Sequence, residues 1–77
     1  MTFKKLSDLA PGESGVIIAL NAEENLYHRL GALGFRIGKQ ISLIRRARFS
    51  GPIHVRIGTT EVMLRGVEAN KIDIQPL

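Results

Sequence analysis

The chain has 77 residues, a formal net charge of +4 and no cysteine. That length allows one small hydrophobic core, and the missing cysteine excludes disulfides, thiolate zinc sites and a thiol nucleophile. Apolar residues make up 44% of the chain and charged residues 23%, too apolar a balance for disorder. No apolar run reaches the roughly 18 residues that a membrane span needs.

The N-terminal run Met1-Thr2-Phe3-Lys4-Lys5 carries charge with no apolar stretch behind it. No secretory signal is expected, and a soluble, cytoplasmic setting is. Leu6-Ser7-Asp8-Leu9 is short enough for one helical turn, and Pro11-Gly12 predicts a tight turn after it. Gly15 to Leu20 is β-branched and bounded by Gly15 and Asn21, which reads as a buried strand. Asn21 is then placed to cap a helix, with Glu24 three residues on as in a capping box. Ala22, Leu26, Leu30 and Leu33 fall on one helical stripe, and Gly34 is a natural stop. Gly31 within the last turns costs roughly 1 kcal/mol against alanine, so close packing is expected there.

After Gly38 the period becomes two. Ile41 and Leu43 alternate with polar neighbours in a strand running through Ile44 to about Ala47, and Ser50-Gly51-Pro52 breaks it. Ile53 to Ile57 alternates cleanly, Gly58-Thr59-Thr60 is a hairpin connection, and Glu61 to Leu64 returns. Val67 to Asn70 is at most a short helical turn, and Ile72 to Ile74 is a last strand ended by Pro76. The prediction is a mainly β fold of five strands, with one helix between the first and second. Open sheet edges are costly, so a small, partly open barrel with the helix over one mouth is expected. Leu26, Leu30 and Leu33 should meet Val16, Ile18, Val55 and Leu64.

Catalysis finds no support. Ser7, Ser14, Ser42 and Ser50 and the histidines His28 and His54 fall in no nucleophile motif. Gly31-Ala32-Leu33-Gly34 follows a helix, whereas a phosphate-binding loop precedes one. Glu24 and His28 share a helix face and form a two-ligand candidate for a divalent metal. A structural zinc takes about four ligands, so a solvated pair and no resident cofactor are expected. His54 should sit on the polar face of its strand, simply exposed.

The basic run is more specific. Arg45, Arg46 and Arg48 cluster beside Phe49, with Arg36 and Lys39 before them and Arg56 on the next strand. A net charge of this sign suits an acidic protein face, a nucleic acid or an anionic membrane surface, and it also aids solubility. The few aromatic residues form no interleaved stacking platform, so nucleic acid is the lesser alternative. The candidate partner surface is therefore Arg45, Arg46, Arg48 and Phe49. Exchanging Arg46 or Phe49 is expected to leave the melting temperature unchanged.

The whole arrangement resembles the FeoA family, small companions of the bacterial ferrous-iron transporter. The resemblance is carried by Leu6-x-x-Leu9-x-x-Gly12-x-x-Gly15-x-Ile17, by Leu30-Gly31-Ala32-Leu33-Gly34-Phe35-x-x-Gly38, by Ser50-Gly51-Pro52-Ile53-x-Val55, and by Leu64-Arg65 with Glu68-Ala69-x-x-Ile72. Two departures are visible: Ile37 stands where the family usually has proline, and Ala47-Arg48-Phe49-Ser50-Gly51-Pro52 replaces a more glycine- and proline-rich loop. The resemblance implies an SH3-like barrel, no catalytic residues, and binding to the cytosolic or GTPase domain of the iron transporter; a weak homo-oligomer is left open by the sequence. A detached SH3-like module of an iron-dependent repressor is a further alternative. Arg65 beside Glu68 is expected to be a structural pair.

Overall fold

The computed structural model describes residues 3–49 and 51–77. The part assigned to Ser50 in breaking its strand, and Met1 and Thr2, lie outside the described residues.

In chain order the elements are β1 (Lys4–Lys5), a 3-10 turn (Leu6–Asp8), β2 (Ser14–Leu20), α1 (Glu24–Ala32), β3 (Gln40–Arg46), β4 (Ile53–Ile57), β5 (Thr60–Leu64), α2 (Gly66–Ala69) and β6 (Ile72–Pro76). The strands form one antiparallel sheet in the order β1-β6-β2-β3-β4-β5, with β1 and β5 at its edges. The barrel is therefore open, as expected, with six strands where the sequence pattern suggests five. The additional strand is β1, two lysines that carry no hydrophobic signal. It pairs Lys4 with Ile74 and Lys5 with Asp73. Lys5 Nζ donates to Asp73 Oδ1 at 2.8 Å, which fixes that register.

The core gathers Leu6, Leu9, Ile17, Leu26, Leu30, Phe35, Ile41, Leu43, Val55, Ile72 and Ile74, with Ile53, Ile57, Leu64 and Ala69. Two β-bulges decide which residues reach it. In β2 the pairing with β6 shifts between Ile17 and Ala19, so Ile18 is an extra residue and the face reverses beyond it. Ile17 is buried and Ile18 exposed, the reverse of the expected phase, and Val16 is only half-buried. Gly15 is buried at a close approach. A Cβ there would stand 2.8 Å from Ile74 Cδ1 and 2.9 Å from the Gln75 carbonyl oxygen.

Helix α1 buries Leu26 and Leu30, while Leu33 follows the last helical residue and lies exposed, against expectation. Its N-cap is Glu23, with no side-chain cap. The expected Asn21 cap does not form, because Asn21 Nδ2 donates instead to Asp73 Oδ2 at 3.0 Å. That bond ties the approach to α1 onto β6.

Candidate partner-binding site

The site grows from the end of β3. Plain alternation from Ile41 and Leu43 would turn Arg45 inward and Arg46 outward. The pairing with β4 shifts between Leu43 and Arg45, and Ile44 is the extra residue. Beyond the bulge Arg45 lies opposite His54, and Arg46 opposite the buried Ile53. Residues directly opposite share a face of the sheet, so Arg45 projects outward in a row with His54 and Met63. Arg46 turns the other way.

Arg46 is half-buried, and its Nη2 donates to the carbonyl oxygens of Ser7 at 2.6 Å and Leu9 at 2.5 Å. Expected on the partner surface, it instead closes the carbonyls around the 3-10 turn. Arg46→Ala should cost about 1–3 kcal/mol, since it leaves two part-buried acceptors unmet. Chemical denaturation checks this, and the two hydrogen bonds stand against the expectation that Arg46 can be exchanged without effect on stability.

The loop after β3 presents the rest. Its base is closed by Ala47 N–H donating to the Pro52 oxygen at 3.0 Å, and its tip by Gly51 N–H donating to the Arg48 oxygen at 3.1 Å. Within it Phe49 has φ 57 and is 98% exposed. A bulky residue in the left-handed region is an outlier costing about 1–2 kcal/mol. No burial of its own ring offsets that strain. Arg48 is exposed beside it.

Other members of the basic run are engaged or distant. Glu61 accepts from Arg56 Nη2 at 2.8 Å and lies 2.7 Å from His54 Nε2. The Arg56 hydrogen bond, then that of His54, holds its carboxyl below the usual range. His54 is thus half-buried and paired rather than merely exposed. Arg36 and Lys39 lie at the opposite end of β3, about 20 Å away at roughly 3.3 Å per residue. The outward tip therefore comprises Arg45, Arg48 and Phe49, and neither arginine makes an ion pair among the described residues.

Glu24 and His28 are both exposed on α1. Among the described residues no three metal-ligating side chains come together. Arg65 and Glu68 form the structural pair that was expected, with Arg65 N–H donating to Glu68 Oε1 at 2.9 Å. Arg29 joins them, its Nη2 reaching Glu68 Oε2 at 2.5 Å and linking α1 to α2. Nothing in the sequence pairs Arg29 with a residue so distant along the chain.

Glu68 is the buried charged residue among those described. Burial raises its pKa, but the Arg65 N–H and the charges of Arg65 and Arg29 outweigh this and hold it below 4.5. A lowered folded value stabilises the fold above the unfolded pKa, and that contribution is lost as pH falls through the folded value. Glu68→Gln should lower stability near pH 7 by about 1–3 kcal/mol. It should also flatten the loss of stability below pH 4.5 relative to wild type. Urea denaturation across an acid pH series checks both.

The fold is an open SH3-like barrel whose β3–β4 end presents Arg45, Arg48 and Phe49 to solvent. The FeoA domain profile matches residues 4–76, and the chain belongs to the FeoA family. It is 33% identical over 69 residues to an Fe(2+) transport protein A of Campylobacter jejuni, covering 90% of this chain and 93% of that protein. It is 31% identical over 71 residues to a Porphyromonas gingivalis protein that fuses Fe(2+) transport protein A to the Fe(2+) transporter FeoB. That match covers 92% of this chain and 8% of the fusion. Among solved structures it resembles Stenotrophomonas maltophilia FeoA, a prokaryotic SH3 domain protein complexed with zinc. The TM-score is 0.80 at 27% identity, over 91% of this chain and 87% of that one. A manganese-dependent transcriptional repressor shares the fold over 42% of its length, with TM-score 0.87 at 21% identity. No helix among the described residues is long and apolar enough to cross a membrane.

Proposed function

We propose that this chain is a non-catalytic accessory protein of ferrous-iron uptake. It binds the cytosolic, GTP-hydrolysing part of the membrane iron transporter from the cytoplasm, with the 77-residue chain acting as one module. The observation that carries the reading is the Porphyromonas gingivalis fusion, in which a relative of this chain and the transporter are one polypeptide. Fusion raises the effective concentration of two partners for each other, which is useful when they act by contact.

The contact surface in this reading is Arg45, Arg48 and Phe49. Arginine meets carboxylates in a bidentate fork, and an exposed ring fills a pocket. Binding changes transport by favouring one conformation of the transporter over another. The chain carries no resident cofactor in this reading, since Glu24 and His28 offer two ligands where zinc takes about four. The nucleic-acid alternative is disfavoured because the basic residues split between the two ends of β3, and Arg46 and Arg56 are already engaged.

The test is direct binding of the purified chain to the transporter's cytosolic domain, by interferometry at low and high salt. Association is expected, and it should slow as salt rises because the steering charges are exposed. Absence of binding at any salt would overturn the reading.

A further inference from the structure

We propose that the groove between α1 and the connection into β3 is a second docking site, taking a polypeptide segment that presents a bulky apolar side chain beside carboxylates. On the functional reading above, on which this identification of the source rests, the segment belongs to the transporter's cytosolic part. The groove encloses about 390 Å³ and is lined by Leu20, Tyr27, Gly31, Phe35, Arg36 and Ile37. Phe35 is fully buried, while Tyr27 and Ile37 stand at the rim, 48% and 68% exposed.

Gly31 is the first argument. A glycine inside a helix costs about 1 kcal/mol against alanine. Packing within the chain does not require it, because a Cβ built there meets nothing within 4 Å. Backbone geometry does not require it either, since Gly31 is helical and outside the left-handed region. The open space is the groove that Gly31 lines. A side chain from outside, seated against bare helix backbone, accounts for it.

Ile37 is the second, independent argument. Lys39 N–H donates to the Arg36 oxygen at 3.1 Å, and Gly38 has φ 94. That is the pattern of a type II turn, whose second position suits proline. Proline there would restrict the unfolded chain and stabilise the fold. Isoleucine instead holds apolar surface out at the groove's rim. The rim is fixed, because Gly38 N–H donates to the Ile17 oxygen at 2.8 Å and Ile17 N–H to the Lys39 oxygen at 2.9 Å. Preordered rims lower the entropy cost of binding.

Charge selects the occupant. Arg36 and Lys39 are exposed on either side of Ile37 and make no ion pair among the described residues. They call for carboxylates beside the apolar anchor. A second copy offering its own Arg45, Arg48 and Phe49 would set cations against these two.

The experiment titrates isotope-labelled chain with a short synthetic peptide of alternating glutamate and leucine, and with its lysine-for-glutamate counterpart. Expected are shift changes centred on Tyr27, Gly31, Phe35 and Ile37 with the acidic peptide alone. Gly31→Leu, which fills the groove, should weaken that binding at least about tenfold, as should Ile37→Pro. Both variants should melt no lower than wild type, which separates lost docking from lost folding. The same variants are then measured against the transporter's cytosolic domain, where the same weakening is expected. Peptide binding in the groove without any transporter binding would support the groove and sink the iron-uptake reading. Transporter binding left unchanged by both variants would overturn the groove, as would equal binding of the lysine peptide or no shift at these residues. Concentration-dependent self-association abolished by Gly31→Leu would assign the groove to a second copy and overturn the proposal too.

Discussion

Replacing Leu30 by alanine should lower stability by about 2–5 kcal/mol, the range for buried leucines. Leu30 is 1% exposed and is one of only two core contributions from α1, the other being Leu26. Its carbonyl also accepts from the Phe35 N–H at 3.0 Å, so the turn that carries Phe35 into the core starts at the same residue. Small domains hold roughly 0.05–0.15 kcal/mol per residue, so this loss takes a large share of the total. At about 4–8 °C per kcal/mol, the melting temperature should drop by at least about 8 °C. Leu33→Ala is the matched control. Leu33 shares the sequence stripe but is exposed, so its loss should stay within about 1 kcal/mol. Equal effects of the two substitutions, read by thermal melts, would mean that the helix is rotated from the phase described here.

That contrast shows where the sequence is informative. Periodicity finds β4, β5 and the long strand β3 almost to the residue, because Ile53, Val55 and Ile57 alternate without interruption. It finds α1 from Leu26 and Leu30. It errs where a single residue breaks the count. Ile18 and Ile44 are apolar and β-branched, and Ile18 is identical in type to the buried Ile17 beside it, yet each is a bulge residue. A bulge is set by the partner strand, and one slip inverts every side chain beyond it. The outward place of Ile18 and the inward turn of Arg46 follow from these two bulges.

The candidate tip is legible in the sequence as composition but not as arrangement. Arg45, Arg48 and Phe49 stand out in the sequence as a basic run beside an aromatic. That Phe49 sits at φ 57 cannot be read from it, because the left-handed region is normally glycine's or asparagine's. Gly31 does announce itself as a cost within a helix. The natural reading, close packing inside the chain, fails because the space above it is open. Acid placement was the other hidden variable. Glu61, Glu68 and Asp73 are each held by basic or amide partners, and no carboxylate among the described residues pairs with the tip's two arginines.

Phe49→Ala should weaken binding to the transporter's cytosolic domain by about 30-fold or more, the scale of an interface hot spot of 2 kcal/mol. The ring is 98% exposed, so alanine removes no contact within the fold and the melting temperature should hold. The strain distinguishes this from an idle surface residue. Phe49 keeps a left-handed φ costing about 1–2 kcal/mol, in a loop closed at Ala47–Pro52 and at Arg48–Gly51. Such strain is commonest where a function uses the geometry it enforces. Phe49→Gly should therefore stabilise the fold by up to about 1 kcal/mol while losing the same binding. Arg48→Glu and Arg45→Glu should act chiefly on the association rate, more strongly at low salt, because these exposed charges steer encounter rather than anchor the complex. Binding rates measured for the three sites against wild type separate anchor from steering. Full retention of binding by a folded Phe49→Ala/Arg48→Glu double variant would remove the tip from the interface and move the contact to the helix face bearing Glu23, Tyr27 and His28.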